Sequence, residues 1–461
     1  MENVLKKLFD KLNSIYEKGY KEKKFIRYIY GRQFNYIYNY FNKSGDGEIL
    51  PFLKFITNNQ LENIVINKNL VKKEKFNKYK EVLYNIDSKI GQILEDNNIT
   101  LKKIYENTII KNKTYFENEE SNGLYIYSGY KVEKELIQLY IYLTGNFPIA
   151  QNILICNKQT SNEEIMAFFY RAIFCDDNSC FIIGGIESLN FNQKTFFIEK
   201  LKQIISENND TIKSCLIILS IKKDTDIFKE LNSIKYKKTF NSEIENKLKN
   251  ITINKLDNIT IVSSKHSGLG KSTKIENIIK NNKKEYFYFP IGGVFTREDI
   301  IQRLKNLKLK EKSAIHLDLY DTDYIDILSE LLFWLLITKL YKVNDEIFCL
   351  LKDTEIYVEI PNGFINFYEK FPILSLLSKN DKNILSIENL EPLIISKEIG
   401  SNVQIVCNYL KQLKDNVIDV KDLVFEGITQ DDLQKEETNA KTFIEAQPLS
   451  QEKCQILIFD K

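Results

Sequence analysis

The sequence is poor in the groups that build metal centres. Among 461 residues there are two histidines, His266 and His316, and neither lies near a pair of cysteines. The seven cysteines, Cys156, Cys175, Cys180, Cys215, Cys349, Cys407 and Cys454, are odd in number and scattered. Only Cys175 and Cys180 are close, and four residues rather than two separate them. This spacing excludes a patterned zinc site and a disulfide framework, and it favours a reducing, cytoplasmic setting. An excess of one charge is also missing: 65 Lys and Arg face 63 Asp and Glu, for a net charge of +2. That balance argues against a dedicated nucleic-acid binder. Lys, Asn, Ile and Tyr are abundant throughout, so a run such as NLVKKEKFNKYK reads as a solvated helical face. Long apolar runs are absent too. The most apolar stretch, LLFWLLI at 331–337, is bounded by Glu330 and Lys339, well short of the roughly 20 residues that span a bilayer. The N-terminal MENVLKKLFDKL is an amphipathic helix carrying acidic residues, not a signal peptide.

What is present is a chain long enough for several domains, with 43% apolar residues. Residues 1–120 read as helical. Val4, Leu5, Leu8, Phe9, Leu12, Ile15 and Tyr16 follow helical spacing, and NKSGDGEILP breaks the pattern before further helices. From 121 to 250, short apolar strands (GLYIYSG, NILIC, CFIIGGIESL, SCLIILSIK) alternate with helices, and Ser161 with Glu164 has the spacing of a capping box. The alternation repeats over 251–375: NITIVSS, a helix from STKIENIIKN, EYFYFPI, a helix capped by Thr296 and Asp299, SAIHLDLYDT, a long helix from YIDILSELLFWLLITKLY, and EIYVEIP. Continuous apolar strands alternating with helices imply covered, mostly parallel sheets, and two such units in tandem suggest a duplication. Residues 376–461 return to helical patterns and are read as a helical lid or linker. The terminal CQILIFDK, an apolar run without a closing loop, suggests a truncated chain.

One stretch carries chemistry. In KHSGLGKS, Gly268, Gly270, Lys271 and Ser272 match the phosphate-binding loop Gly-x4-Gly-Lys-Ser/Thr, with Lys265 in place of the first glycine. The glycines let backbone N–H groups converge on a phosphate. The strand before the loop and the helix after it give the anion a helix N-terminus. The loop Ser267, Gly268, Leu269, Gly270, Lys271, Ser272 and Thr273 is thus the candidate nucleotide site. In it Lys271 would reach the phosphates and Ser272 would bind Mg2+. Asp318, ending the apolar run AIHLD, is the second candidate Mg2+ residue. Leu319 follows it, where a hydrolase of this type places the glutamate that orients water, and leucine cannot do so. Asp321 is a weak candidate for that role; Glu359, on the next strand, is a weak catalytic candidate near where a polar sensor would sit, and Asn362 is the other candidate there. The other reading of each is a strand-end or turn residue. In the first unit, NILICNKQTSNEEI is taken as the counterpart of the phosphate loop. It lacks glycine, and Glu187 has no catalytic partner there. Arg171, Arg297 and Arg303 could act as trans-acting fingers, though surface or salt-bridge roles explain them as well.

These segments, VSSKHSGLGKS, IHLDLYDTDYIDILSELLFWLLITKLY and EIYVEIP, together with GNFPIAQNILICNKQTSNEEIMAFFYRAIF and CFIIGGIESL, resemble in their order the mysterin-like giant AAA+ E3 ubiquitin ligases. The resemblance spans about residues 120–460. It implies tandem AAA+-type P-loop α/β units, the first degenerate, flanked by helical regions. It further implies that this chain matches the early portion of the family's array, which holds ATP without apparent hydrolysis. Neighbouring AAA units in cis would then be partners. The RING and zinc-binding cysteines of that family are not found here, so ubiquitin machinery would be reached only through domains outside this sequence. The alternatives carried alongside are an active ATPase motor subunit and a ligand-free structural scaffold.

Overall fold

The computed structural model describes residues 2–383 except 43–48, 59–64, 67–69, 72–77, 118–121, 209–211, 222–224, 250, 252–255, 257, 264–270, 321, 345, 361–369 and 378–380. The α-helices α1 (Glu2–Glu22), α2 (Gln33–Asn42), α3 (Leu50–Ile56), α4 (Tyr79–Asp96) and α5 (Leu101–Tyr105) precede the first strand. Two α/β units follow. The first runs β1 (Gly123–Ser128), α6 (Val132–Thr144), β2 (Ile153–Ile155), α7 (Asn162–Ile173), β3 (Cys180–Gly184), α8 (Phe191–Asn208), β4 (Cys215–Ser220), α9 (Asp226–Asn232), β5 (Lys237–Lys238) and α10 (Ile244–Lys249). The second runs β6 (Ile259–Ser263), α11 (Lys271–Asn281), β7 (Glu285–Ile291), α12 (Arg297–Asn306), β8 (Ser313–Leu319), α13 (Ile325–Phe333), the hairpin β9 (Leu340–Val343) and β10 (Glu346–Cys349), then β11 (Glu355–Glu359), a short helix Pro372–Leu376 and β12 (Asp381–Asn383).

The first sheet has the order β2-β3-β4-β1-β5 and the second β12-β6-β11-β8-β7. Every pairing within them is parallel. Numbered within its own unit, with the hairpin set aside, each sheet reads fifth, first, fourth, third, second. The two units are therefore topological repeats, and the protein is a mixed α/β fold of the AAA type.

Pleating sorts the side chains. In β3 and β4, Phe181, Ile183, Leu216 and Ile218 join the core shared with α7, α8 and the N-terminal helices. Their neighbours Cys180, Ile182, Cys215 and Ile217 face α6, in a core continuous with the second sheet. In a strand, alternate residues point to opposite faces, and here both faces are covered, which is why these strands read as unbroken apolar runs. Local capping follows the sequence. The Glu164 N–H donates to Ser161 Oγ at 3.1 Å, and Thr296 and Asp299 close a full capping box. Cys156, Cys175, Cys180, Cys215 and Cys349 are free thiols. No helix among the described residues is long and apolar enough to cross a membrane.

Two elements differ from expectation. The helix expected over 324–341 ends early: α13 gives way to a π-helical turn at Trp334–Thr338. Lys339 then adopts a left-handed backbone at φ 58°, and β9 pairs antiparallel with β10. The turn is favourable because it sends Tyr341, Val343 and Phe348 into the core and sets β10 against α3. Beyond 376, where helices were expected, β12 pairs in parallel with β6, Asp381 opposite Ile261. It covers an edge that would otherwise expose unpaired backbone groups. The remaining expected helices, over 384–461, lie outside the described residues.

Candidate functional site

The site lies at the carboxyl ends of β6, β8 and β11. Connections from the adjacent strands β6 and β11 run in opposite directions across the sheet, the arrangement in which open α/β sheets form a ligand crevice beyond their strand ends. Lys271 and Ser272 open α11 directly after the glycine loop. Of the sequence candidates, Lys265, Ser267, Gly268, Leu269, Gly270, Asp321 and Asn362 lie outside the described residues. Lys271, Ser272, Thr273, Asp318 and Glu359 lie within them, and all but Thr273 are drawn together by the contacts below.

Alternation along β8 decides which residues meet. Ile315, Leu317 and Leu319 face the main core. Ala314 faces α11, packed with Val262, Ile275, Ile279 and Tyr357, and His316 and Asp318 share its side of the strand. Leu319, 1% exposed, is thus buried on the opposite face from Asp318. Asp318 stands opposite Glu359 in the β8–β11 register, and Glu359 stands opposite Val262 of β6.

A polar network results, with Lys271, His316, Asp318 and Glu359 buried at its centre. Ser272 Oγ donates to Glu359 Oε2 at 2.9 Å. Lys271 Nζ lies 3.8 Å from Glu359 Oε1, with both side chains buried. His316, fully buried, contacts the same Glu359 Oε2 through Nε2 at 2.9 Å. Its Nδ1 meets the Tyr286 hydroxyl at 2.8 Å. Asp318 Oδ2 accepts from the Tyr288 hydroxyl at 2.7 Å and from that of Tyr320 at 2.5 Å. Burial raises the Asp318 carboxyl above its ordinary value; Tyr320, Tyr288 and His316 oppose the rise, and Glu359 adds to it. Burial also lifts the Tyr320 phenol to about 12.

Candidate ligand atoms of His316, Asp318 and Glu359 lie within 4.8 Å of one another. The hydroxyl oxygen of Ser272 and the carboxylate oxygens of Asp318 are hard donors of the kind Mg2+ takes, so these two residues fit that ion. His316 and the tyrosines were not singled out in the sequence. The signal available for His316 was its position two residues before Asp318, hence on the same face. Tyr286 and Tyr288 come from a neighbouring strand and carried no local signal.

The first unit corrects one reading. The counterpart of β6 is β1, not the NILIC strand, because sheet position rather than glycine content defines the equivalence. The loop from β1 to α6 is only 129–131, against 264–270 in the second unit. Its backbone N–H groups already hold an anion from the chain itself: Tyr130 and Lys131 donate to Glu135 Oε1 at 2.7 and 3.4 Å. Glu135 fills the space over the loop, since a Cβ on Gly129 would lie 1.3 Å from its Oε2. Glu187 has a structural role. It accepts from Ser220 Oγ at 2.5 Å and from the Ile221 N–H at 2.8 Å, tying β3 to the end of β4.

The arginines hold structure. Arg171 is neither a surface nor a salt-bridge residue: it is buried and donates to the Gln151 and Arg27 carbonyls at 2.8 and 2.9 Å. Arg297 pairs with Glu330 at 2.7 Å. Arg303 donates to the Pro290 carbonyl and lies over the Phe289 ring. A cavity of about 470 Å³ opens where α7, β9 and the N-terminal helices meet. Among the charged groups lining it, Lys342 contacts Glu164 and Tyr30, and Arg297 pairs with Glu330.

With this geometry in place, the comparisons with known proteins are informative. A family model described as the RNF213 AAA domain matches residues 124–236, which cover most of the first sheet. The matched span does not include the glycine loop or α11. No curated protein matches the chain. Residues 124–236 thus form a region similar to the RNF213 AAA domain.

Proposed function

We propose that the second α/β unit holds ATP with Mg2+, hydrolyses it slowly or not at all, and serves a structural or regulatory role within a mysterin-like AAA+ protein. The observation that supports this reading is the meeting of Lys271 and Ser272 with Asp318 and Glu359 at the carboxyl end of a parallel sheet. In this reading the loop Ser267, Gly268, Leu269, Gly270 and Thr273 surrounds the phosphates. Lys271 reaches them, and Ser272 with Asp318 holds Mg2+. The ion, when bound, neutralises phosphate charge and fixes the orientation of the phosphate oxygens. Slow turnover is supported by Leu319, buried away from Asp318 on the far face of β8. The first unit, its loop filled by Glu135, acts as a nucleotide-free neighbour in cis. Ubiquitin ligation would need domains beyond this sequence.

Thermal unfolding of the full chain tests the reading. ATP with Mg2+ at 100 times its dissociation constant stabilises the folded state by about 2.7 kcal/mol, and Lys271→Ala removes that gain. An unshifted wild type favours the scaffold reading. Steady-state hydrolysis that rises with assembly into rings favours the motor reading.

A further inference from the structure

The carboxylate of Glu359 has more partners than a strand-end residue needs. It lies at the end of β11, between β6 and β8, opposite both Val262 and Asp318. It receives the Ser272 hydroxyl at 2.9 Å and faces Lys271 Nζ at 3.8 Å. His316 Nε2 lies 2.9 Å from the same Oε2 that accepts from Ser272, and the imidazole is itself held through Nδ1 by the Tyr286 hydroxyl at 2.8 Å. The carboxylate is thus pinned by a fully buried ring and cannot swing away from α11 without breaking that chain.

We propose that Glu359 is a built-in competitor of the nucleotide's phosphates for Lys271, and that it sets how fast nucleotide leaves the site. This rests on the nucleotide-holding reading above. A phosphate group drawing Lys271 to itself takes that ammonium from Glu359. The anion left behind keeps its His316 contact and so stays beside the phosphates. Like charges close together in a buried setting repel strongly, and with Mg2+ held in the proposed site by Ser272 and Asp318, the Glu359 charge is left without the ammonium that balanced it. The bound state therefore carries a fixed repulsion, relieved whenever Lys271 returns to Glu359. The first unit shows the same principle carried to completion. There Glu135 belongs to α6 itself, sits over a short loop and accepts from its backbone N–H groups, so the internal anion is tethered where a ligand would have to enter. Glu359 comes from a separate strand and shares its partners, which makes it a competitor rather than a plug.

The test is release of a fluorescent ATP analogue with Mg2+ from the full chain, chased with excess unlabelled ATP. The wild type, Glu359→Gln and Lys271→Ala are compared. The glutamine keeps the size and one acceptor oxygen but removes the charge, and release is expected to slow at least tenfold. Glu359→Asp, which keeps the charge but draws it back one methylene from Lys271, is expected to give an intermediate rate, and it serves if the glutamine variant does not fold. Release from Glu359→Gln as fast as or faster than from wild type, with wild type still binding, overturns the competitor role while leaving the nucleotide reading intact. No analogue binding to the wild type, matching Lys271→Ala, overturns both.

Discussion

Replacing Arg297 with methionine tests how the two helices flanking the second sheet are held together. Arg297, at the start of α12, donates through Nε at 2.8 Å and approaches through NH2 at 2.7 Å to one oxygen of Glu330 on α13. The two side chains are 18% and 12% exposed, so the pair is only weakly screened by solvent. Burial already raises the Glu330 carboxyl, and Arg297 and the Asn157 side chain oppose the rise while Glu164 adds to it. Without Arg297, Glu330 either stays charged and unpaired, which costs about 3–5 kcal/mol, or takes up a proton. Protonation sets a ceiling. From an ordinary carboxyl value of about 4.3, holding the proton costs about 4.4 kcal/mol at pH 7.5 and about 1.6 kcal/mol at pH 5.5. The sign follows from linkage. Between the unfolded and the raised folded value the folded chain binds more protons, so stability falls as pH rises through that window. The Arg297→Met deficit should therefore be about 4 kcal/mol at pH 7.5 and under 2 kcal/mol at pH 5.5. Urea unfolding followed by fluorescence of Trp334, the single tryptophan, reports it from a position one turn beyond Glu330. The double variant Arg297→Met/Glu330→Leu should recover most of the loss, since apolar replacement of a whole buried pair is often neutral. A deficit of the same size at both pH values would refute the reasoning.

Gly185 follows β3 with φ 72°, and a Cβ there would lie 2.7 Å from the Cys156 carbonyl oxygen. Gly185→Ala should cost about 1–3 kcal/mol, measured by the urea midpoint, and a neutral result would mean that the backbone can shift freely. Glu135→Ala strips the acceptor from the N–H groups of Tyr130 and Lys131. It should destabilise the chain by about 0.5–1.5 kcal/mol, since water can reach these exposed N–H groups, while leaving nucleotide binding by the second unit unchanged, and loss of that binding would show that the first unit's loop contributes to the site.

The sequence was most readable where structure is local. Ser161 and Thr296 announce their helices through spacing alone, and both cap as expected. The buried strands β3, β4 and β8 read as apolar runs because both their faces are covered. Strand order was not readable, because parallel neighbours are set by crossovers rather than by adjacent residues. That is why the sequence pattern points to NILIC rather than β1 as the loop-bearing strand. The β9–β10 hairpin was hidden because helical periodicity continues across Lys339, where one left-handed residue reverses the chain. At the site, Lys271, Ser272 and Asp318 follow from motif chemistry. The position of Glu359 against Lys271 and Ser272 depends on the register of β11 against β6 and β8, which no local pattern encodes. His316 lay in plain view two residues before Asp318, but its partner was 43 residues away.

The central claim is a site that holds ATP without consuming it. The most direct measurement is to purify the full chain without added nucleotide, denature it, and identify what is released by ion-exchange chromatography. The account predicts ATP in near-stoichiometric amount, lost in Lys271→Ala. Release of ADP instead would contradict it, because a site with Leu319 buried away from Asp318 would then be turning nucleotide over.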